Sequence, residues 1–176
     1  MGKILEVRTV QSSVIKILSE ALKDLIRDVN IIFTRKKIIK NEDGEEVVTG
    51  GMRAITMAMA NNVLTHLKLD AVNFDYYECN VDKFVAGIST TVLFKVIKTL
   101  NNNDTVTFFV DDTDSNKLGI RFENAEKNIV STKKINLMDI DEYEIEIPPT
   151  SFSTVINMPS TYFNKICRDL NSLADT

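Results

Sequence analysis

The chain contains few of the residues that crosslinks, metal sites or membrane insertion require. Among 176 residues there are two cysteines, one histidine and no tryptophan. Cys79 and Cys167 lie far apart without a metal-ligand spacing, so we expect both thiols to be reduced and buried, as in an intracellular protein. No apolar run approaches the ~20 residues that span a bilayer, and the N-terminus lacks a signal-peptide core. These absences argue against a membrane partner.

The same scarcity argues against an enzyme. A single histidine leaves no Ser–His or His–Cys pair, and no Gly-rich phosphate loop follows a predicted strand. Two groups of carboxylates could gather a divalent metal: Asp111, Asp112 and Asp114, and Asp139, Asp141 and Glu142. The first group lies in a turn and the second on an extended segment, where ligands would be poorly preorganised. We therefore predict no catalytic residue, no metal and no cofactor.

Length and charge limit the remaining classes of protein. A chain of 176 residues supports one complete domain and part of another. Its net charge of −4 gives no overall attraction to nucleic acid. Any contact with DNA must therefore come from a local concentration of basic residues.

An internal repeat divides the chain. Residues 5–28 read LEVRTVQSSVIKILSEALKDLIRD, and a degenerate copy at residues 152–169 reads FSTVINMPSTYFNKICRD. Each copy predicts a short strand, a helix start that contains serine, and a helix that ends in a basic residue, Asp and Leu. We interpret the second copy as the opening of another structural unit near residue 150, which is then cut off.

Hydrophobic periodicity predicts three amphipathic helices. They cover residues 13–29, residues 90–100 after the N-cap Ser89, and a segment that follows Pro159 and Ser160. The predicted inner faces comprise Val14, Leu18, Ala21, Leu22, Leu25 and Val29 in the first helix, Val92, Leu93, Val96, Ile97 and Leu100 in the second, and Phe163, Ile166, Cys167 and Leu170 in the third. Basic residues occupy the opposite faces.

Most of the remaining chain is predicted as strand. Alternating or β-branched patterns cover residues 30–40, 53–59, 63–69, 83–88, 105–111, 117–123 and 128–136. Residues 40–45 are predicted as the tip of a hairpin. The result is a mostly antiparallel sheet backed by two helices, which is an α+β fold. From residue 137 to 150, acids alternate with isoleucine up to two prolines, which indicates an extended connector.

Four short sequences, quoted in chain order, carry a family resemblance. They are EALKDLI at residues 20–26, LMDID at 137–141, MPS at 158–160 and ICRDL at 166–170. Their order and spacing resemble those of proliferating cell nuclear antigen, the DNA sliding clamp of eukaryotic and archaeal type. The resemblance covers the chain from about Ile4 to Thr176, apart from residues 35–52.

The resemblance implies a DNA-clamp fold in which sheets form the outside of a ring and helices line its interior. Residues 1–136 would form the first clamp domain, 137–150 the interdomain connector, and 151–176 the first strand and helix of a truncated second domain. Full-length subunits would close head to tail into a homotrimer through edge strands. The strand near residues 127–136 would be the edge offered. On this reasoning the 176-residue chain lacks the receiving edge and is not expected to close the ring alone.

The resemblance also implies a function without chemistry or cofactor. The protein would be a processivity factor that encircles duplex DNA regardless of sequence and tethers DNA polymerase and other replication and repair enzymes. A clamp loader and proteins with a clamp-interacting motif would be further partners. The implied location is the nucleus, or a cytoplasmic replication site if the protein is viral. The alternative is a truncated or regulatory clamp-like protein that binds clamp partners without forming a ring.

Two sets of site residues follow from the family pattern. The implied DNA contacts are Lys16, Lys23, Lys95, Lys98, Lys165 and Arg168; by periodicity alone these residues could simply solvate the helix faces. The implied partner groove comprises Met59, Val63, Leu64, His66, Ile140, Ile145, Ile147 and Pro148. His66 stands where the family usually has an aliphatic residue and Val63 where many clamps have histidine. A role of His66 as an ordinary strand residue therefore stays open.

Residues 35–52 depart from the family pattern by lengthening a hairpin. One arm carries Arg35, Lys36, Lys37 and Lys40, and the acids Asp43, Glu45 and Glu46 follow. Opposite charges paired across a hairpin mostly increase solubility. A contact with a partner or with DNA is the alternative, and the sequence does not decide between them.

Overall fold

Strands dominate the part of the chain that the structure describes. The structure is a computed structural model that describes residues 2–40, 44–57, 63–141 and 151–173. Its elements are β1 Lys3–Thr9, α1 Ser12–Leu25, β2 Asp28–Lys40, β3 Glu46–Met57, β4 Leu64–Asp70, β5 Tyr76–Cys79, β6 Lys83–Ser89, α2 Thr90–Ile97, β7 Thr105–Asp111, β8 Lys117–Asn124, β9 Ile129–Asn136 and α3 Ser160–Leu173. The chain divides into two compact units, residues 1–145 and residues 146–176.

The strands form two antiparallel sheets in the first unit. Sheet A has the order β5-β1-β7-β8-β9, and sheet B has the order β4-β3-β2-β6. The predicted α+β fold is confirmed, with two sheets where the sequence indicated one. All seven predicted strands are present. The four-residue β5 was not predicted, because so short a segment shows too little alternation.

The two helices of the first unit pack side by side and contribute to one core with both sheets. Ile15 and Leu22 of α1 and Leu93 and Ile97 of α2 are buried in the same apolar cluster as residues of sheets A and B. These helix residues line a small apolar cavity of about 40 Å³. The core therefore fixes which helix face points inward and leaves the other face uncovered in this unit.

The inner face of α1 differs from the prediction. Val14 and Leu25 are 42% and 49% exposed, Ala21 is also exposed, and Val29 belongs to β2. Leu22 is buried as predicted, and Ile15, Ser19 and Ile26, which were not predicted, are buried with it. Ser19 is polar, so a search for apolar residues does not identify this face. Its hydroxyl donates a hydrogen bond to the Lys16 carbonyl at 2.9 Å, and this bond allows the serine to be buried. The face is rotated toward Ile15.

The second helix ends at Ile97 instead of the predicted Leu100, and its inner face follows the prediction except at Val92, which is 44% exposed. α2 begins at Thr90 directly after Ser89, although the Ser89 side chain makes no capping hydrogen bond. Thr90 is fully buried and its hydroxyl donates to the Ile26 and Arg27 carbonyls. This bond joins the start of α2 to the end of α1.

The second unit contains α3, which begins at Ser160 after Pro159 as predicted. The strand predicted to precede it is not found, since residues 151–159 of the described chain contain no strand. Both cysteines are free, as expected, and Cys79 is buried. Cys167 is exposed, because α3 buries none of its side chains in the part of the chain that the structure describes. The prediction that both thiols are buried is therefore wrong for Cys167.

Candidate nucleic-acid and partner interfaces

α1 and α2 run antiparallel, which gathers lysines from distant parts of the sequence. Thr90 lies against the end of α1, the Lys23 ammonium lies 4.4 Å from the centre of the Phe94 ring, and Lys16 lines a polar cleft with Asn101. Residues later in α2 therefore lie beside residues earlier in α1, which makes the two helices antiparallel. These contacts bring Lys16 and Lys23 of α1 into one layer with α2.

The lysines of this layer differ in availability. Lys95 and Lys98 are exposed, and neither forms an ion pair with any described residue. Lys16 is half-buried at the rim of a polar cleft of about 390 Å³. Lys23 lies 2.9 Å from the Asp24 carboxylate and over the Phe94 ring, and its side chain is only 29% exposed. Part of the charge of Lys23 is therefore engaged within the protein.

The helix layer carries a small positive excess. The layer contains four lysines and two acids, Glu20 and Asp24 of α1. Its formal charge is therefore +2, on a chain whose total is −4. Exposed Val14 and Ile17 lie among these charges. Such a surface suits weak, nonspecific contact with phosphates, because lysine ammonium groups attract phosphates regardless of base sequence.

Lys165 and Arg168 are exposed on α3 in the second unit. They lie on the same helix face as Thr161 and Ser172, as the spacing predicts. Their proposed grouping with the lysines of the first unit stays a prediction.

The start of the predicted connector is held by three hydrogen bonds, one to the turn between β7 and β8 and two to sheet B. Leu137 N–H donates to the Asn116 carbonyl at 2.8 Å, and Met138 N–H donates to the Gly87 carbonyl at 2.8 Å. The Asn30 amide then donates to the Ile140 carbonyl at 2.9 Å. Because Gly87 lies on β6 and Asn30 on the neighbouring β2, the chain passes from the β6 edge onto a face of the sheet.

Gly87 makes this passage possible. A Cβ atom at Gly87 would overlap the Met138 carbonyl oxygen, which lies against the backbone there. The backbone conformation of Gly87 is ordinary, so the requirement is one of space. Because Gly87 has no side chain, the connector can lie directly against the backbone of β6.

Strand register shows which side chains share the face that the connector enters. Residues directly opposite each other in a sheet point to the same side, and side chains alternate along each strand. Following the pairing from β6 to β4 places these residues on one outer face: Asn30, Ile32, Arg53, Ile55, Met57, Leu64, His66, Lys68, Val85 and Gly87. The opposite face holds Val29, Ile31, Phe33 and Ala54 in the core.

The structure brings part of the predicted groove onto this outer face. Leu64 and His66 lie at its β4 side, with Leu64 40% exposed, and Ile140 lies over β2. About two strand spacings, roughly 10 Å, separate β2 from β4. Exposed Val63 directly precedes β4. Met59, Ile145, Ile147 and Pro148 lie outside the described residues.

Sequence reasoning missed Ile32 and Ile55 as members of this surface. Both are half-buried and lie between His66 and the connector. The alternation of β2 and β3 places them opposite the core, which is a detectable signal once the register is known. His66 is exposed on β4 opposite Ile55.

The acidic turn after β7 is organised by ion pairs. The Lys134 ammonium lies 3.3 Å from Asp111 and 3.2 Å from Asp114, and the Lys117 ammonium lies 3.3 Å from Asp114. Asp112 accepts a hydrogen bond from the Gly2 N–H. Within the described residues, no three potential ligands come together to hold a metal ion. The carboxylates of this turn are held by lysines and by the backbone.

Comparison with known proteins agrees with these features. Residues 4–145 match the family described as proliferating cell nuclear antigen, N-terminal domain. The chain is 30% identical over 172 residues to a "Probable DNA polymerase sliding clamp 1" of Paramecium bursaria Chlorella virus 1. That match covers 98% of this chain and 60% of the viral relative. No helix in the described residues is long and apolar enough to cross a membrane. The chain belongs to the proliferating cell nuclear antigen family of sliding clamps.

Proposed function

We propose that this chain is part of a DNA polymerase processivity factor that encircles duplex DNA as a ring and tethers replication and repair enzymes. The observation that carries the proposal is the antiparallel helix pair, which gathers Lys16, Lys23, Lys95 and Lys98 outside the core. Phosphate contact through such residues is independent of base sequence, so the ring can slide. Lys165 and Arg168 would add to this surface, and the protein would act without catalysis or cofactor.

The edge strand β9 would provide one half of each joint between subunits. β9 lies at one end of sheet A, and its Ile129 and Val130 are 56% and 64% exposed. An uncovered strand edge with apolar side chains favours pairing with another strand. Three subunits joined head to tail would form the ring, and a clamp loader would open it. Residues 1–136, 137–150 and 151–176 would be the first domain, the connector and the beginning of the second domain.

The outer face of sheet B would bind partners. Polymerases and other proteins with a clamp-interacting motif would place apolar anchors between the connector and β4, against Ile55, Leu64 and Ile140. Met59, Val63, His66, Ile145, Ile147 and Pro148 would complete this groove. The viral origin of the relative favours a viral replication site over the nucleus as the place of action.

A second candidate is a clamp-like protein that binds clamp partners without forming a ring. The outer face of sheet B and the start of the connector both belong to the first unit, so this surface does not depend on ring closure. The two functions differ in whether DNA binding is needed for activity.

The proposal is tested on the assembled clamp with a double substitution, Lys95→Ala and Lys98→Ala. We expect the slope of log affinity for duplex DNA against log salt to fall by about two units, since each lost phosphate contact removes ~0.9. Processive primer extension should fall as well. The matched control is Lys36→Ala with Lys40→Ala, which removes the same charge from two exposed lysines near the end of β2, outside the helix layer. An equal fall in the control, or no fall in either variant, would contradict the ring proposal.

A further inference from the structure

The hairpin formed by β2 and β3 extends beyond sheet B. β2 pairs with β6 only from Asp28 to Thr34, and β3 pairs with β4 only from Gly51 onward. Among the described residues, 36–40 and 46–50 pair with each other alone. We call residues 35–40 and 46–50 the extended hairpin. Within the described residues, its two outer strand edges carry main-chain groups without a neighbouring strand.

The base of the extended hairpin is held in place. The Arg35 guanidinium donates to the Asn80 carbonyl, and the Lys37 ammonium lies 3.2 Å from the Asp82 carboxylate. The strand register shifts between Thr34 and Lys37, opposite Gly50, whose φ is +98°. A Cβ atom at Gly50 would overlap the Arg35 carbonyl, so the backbones approach closely at this bulge. The hairpin thus leaves the sheet in a defined direction.

Both faces of the extended hairpin carry exposed β-branched residues. Ile38 is 64% exposed and stands opposite Val48, while Ile39 is 49% exposed and stands opposite Val47. Consecutive pairs point to opposite faces of the hairpin. Because Ile38 and Ile39 are both exposed, the core covers neither face. Exposed apolar residues grouped in this way are typical of a contact surface.

The outer edge of β2 is basic. Lys36 and Lys40 are exposed and form no ion pair with any described residue. Lysines along a strand edge repel another basic strand and attract an acidic one. β3 already pairs with the other edge of β2, so its composition shows which kind of strand β2 accepts. In this pairing Glu46 stands opposite Lys40, Val47 opposite Ile39, and Val48 opposite Ile38.

We propose that the outer edge of β2, residues 36–40, binds an extended peptide segment of a partner protein as an additional strand. The segment would be acidic and rich in β-branched residues, as β3 is. Duplex DNA fits this edge less well, since the exposed Ile38 and Ile39 between the lysines offer no partner to a phosphate. The site is independent of ring closure and of the helix lysines.

The test uses a fluorescein-labelled peptide with the sequence of residues 45–49, Glu-Glu-Val-Val-Thr, preceded by two aspartates. Fluorescence anisotropy with the unmodified chain should show saturable binding that weakens as salt is added. Lys36→Glu with Lys40→Glu should reduce affinity at least about tenfold, because like charges then face each other. Lys127→Glu, in the exposed β8–β9 turn, is the matched control and should leave affinity unchanged.

Further measurements distinguish strand addition from other occupants. A peptide that is N-methylated at every second residue should lose binding when the methylated edge is the one that faces β2, and keep it when the other edge is methylated. The proposal is overturned if the peptide gives no anisotropy change at concentrations up to about 1 mM. It is also overturned if Lys36→Glu with Lys40→Glu abolishes binding of a 20-base-pair duplex instead, or disperses a dimer seen by light scattering. Those results would assign the edge to nucleic acid or to a second copy.

Discussion

Individual lysines on the helix layer have different surroundings, although the sequence pattern treats them alike. Lys23 contacts both Asp24 and the Phe94 ring, whereas Lys95 is exposed and unpaired among the described residues. A cation over an aromatic ring contributes to folding as well as to surface charge. Lys23 therefore serves the packing of α1 against α2 in addition to any role in binding.

This difference predicts that alanine substitutions of Lys23 and Lys95 affect stability differently. Lys23→Ala should lower the free energy of unfolding by about 0.5–1 kcal/mol, because it removes the ammonium from the Phe94 ring. Lys95→Ala should leave stability nearly unchanged and should lower the salt slope of DNA binding by ~0.9. Urea denaturation and duplex titration measure the two quantities. A larger loss of stability in Lys95→Ala than in Lys23→Ala would contradict the prediction.

The Asp114–Lys134 pair gives stability a defined pH dependence. Hydrogen bonding from Lys134 lowers the pKa of the Asp114 carboxyl below its ordinary 3.8, against a smaller opposing effect of burial. The bond to Asp114, followed by the bond to Asp111, raises the pKa of the Lys134 ammonium above 10.5. The stabilisation from the carboxylate is present above 3.8 and is lost as the pH falls through the lowered pKa. The stabilisation from the ammonium is present below 10.5 and is lost as the pH rises through the raised pKa.

Lys134→Ala should therefore lower the melting temperature at neutral pH by no more than a few degrees, since the pair is exposed. The difference from wild type should close as the pH falls well below 3.8. Thermal unfolding followed by circular dichroism across this range provides the measurement, and Lys127→Ala is the control. A difference that persists unchanged in acid would show that Lys134 acts through packing.

At the scale of elements, the connector start is defined by two strands that are far from it in sequence. Gly87 on β6 accepts the Met138 N–H, and Asn30 on β2 donates to the Ile140 carbonyl. Together they direct the chain across the outer face of sheet B. Any partner groove beneath the connector depends on this attachment.

Asn30→Ala should loosen the connector without unfolding the sheet. Loss of one hydrogen bond costs about 1 kcal/mol, so the Met138 amide should exchange with solvent about fivefold faster. Hydrogen exchange read by NMR tests this. Asn103→Ala, in an exposed turn, is the matched control and should leave the Met138 rate unchanged. Unchanged exchange in Asn30→Ala would mean that the bonds to Gly87 and Asn116 hold the connector without Asn30.

Binding of a clamp-interacting peptide should depend on the apolar residue of the connector more than on its neighbour. Ile140 is half-buried and Asp141 is exposed. Ile140→Ser should weaken peptide binding by about 1–3 kcal/mol, because it removes a desolvated anchor. Asp141→Ser should have little effect. Fluorescence titration of both variants in the full-length protein compares them, and equal affinities for wild type and Ile140→Ser would place the groove elsewhere.

At the scale of the whole molecule, the uncovered edge of β9 should control self-association. Val130 lies on this edge and is 64% exposed. Val130→Lys should reduce concentration-dependent association, because a charge on a strand edge opposes further pairing. Light scattering over a dilution series measures it. Val72→Lys is the control, since Val72 is 56% exposed in the 3-10 helix Ala71–Asn73 and belongs to no strand. An equal effect of both substitutions would exclude β9 as the joint.

The sequence by itself determined the family, the α+β class and nearly all the elements. Period-two and helical patterns are local, so strands such as β7 and helices such as α3 could be predicted without knowing their neighbours. The basic outer faces of the helices were found for the same reason. The family resemblance places the connector at residues 137–150, which stays a prediction, and it does not show where residues 137–141 run.

Only the tertiary structure decided which α1 face is buried, how far Lys23 is engaged, and which side chains share the outer face of sheet B. Ser19 can lie in the core because its hydroxyl forms a hydrogen bond within the helix. A pattern of apolar residues does not identify a buried serine. Ile32 and Ile55 join His66 through strand register, which depends on pairing between distant segments. Such pairing is set by the packing of the whole unit, because local periodicity gives the face of a strand but not its neighbour.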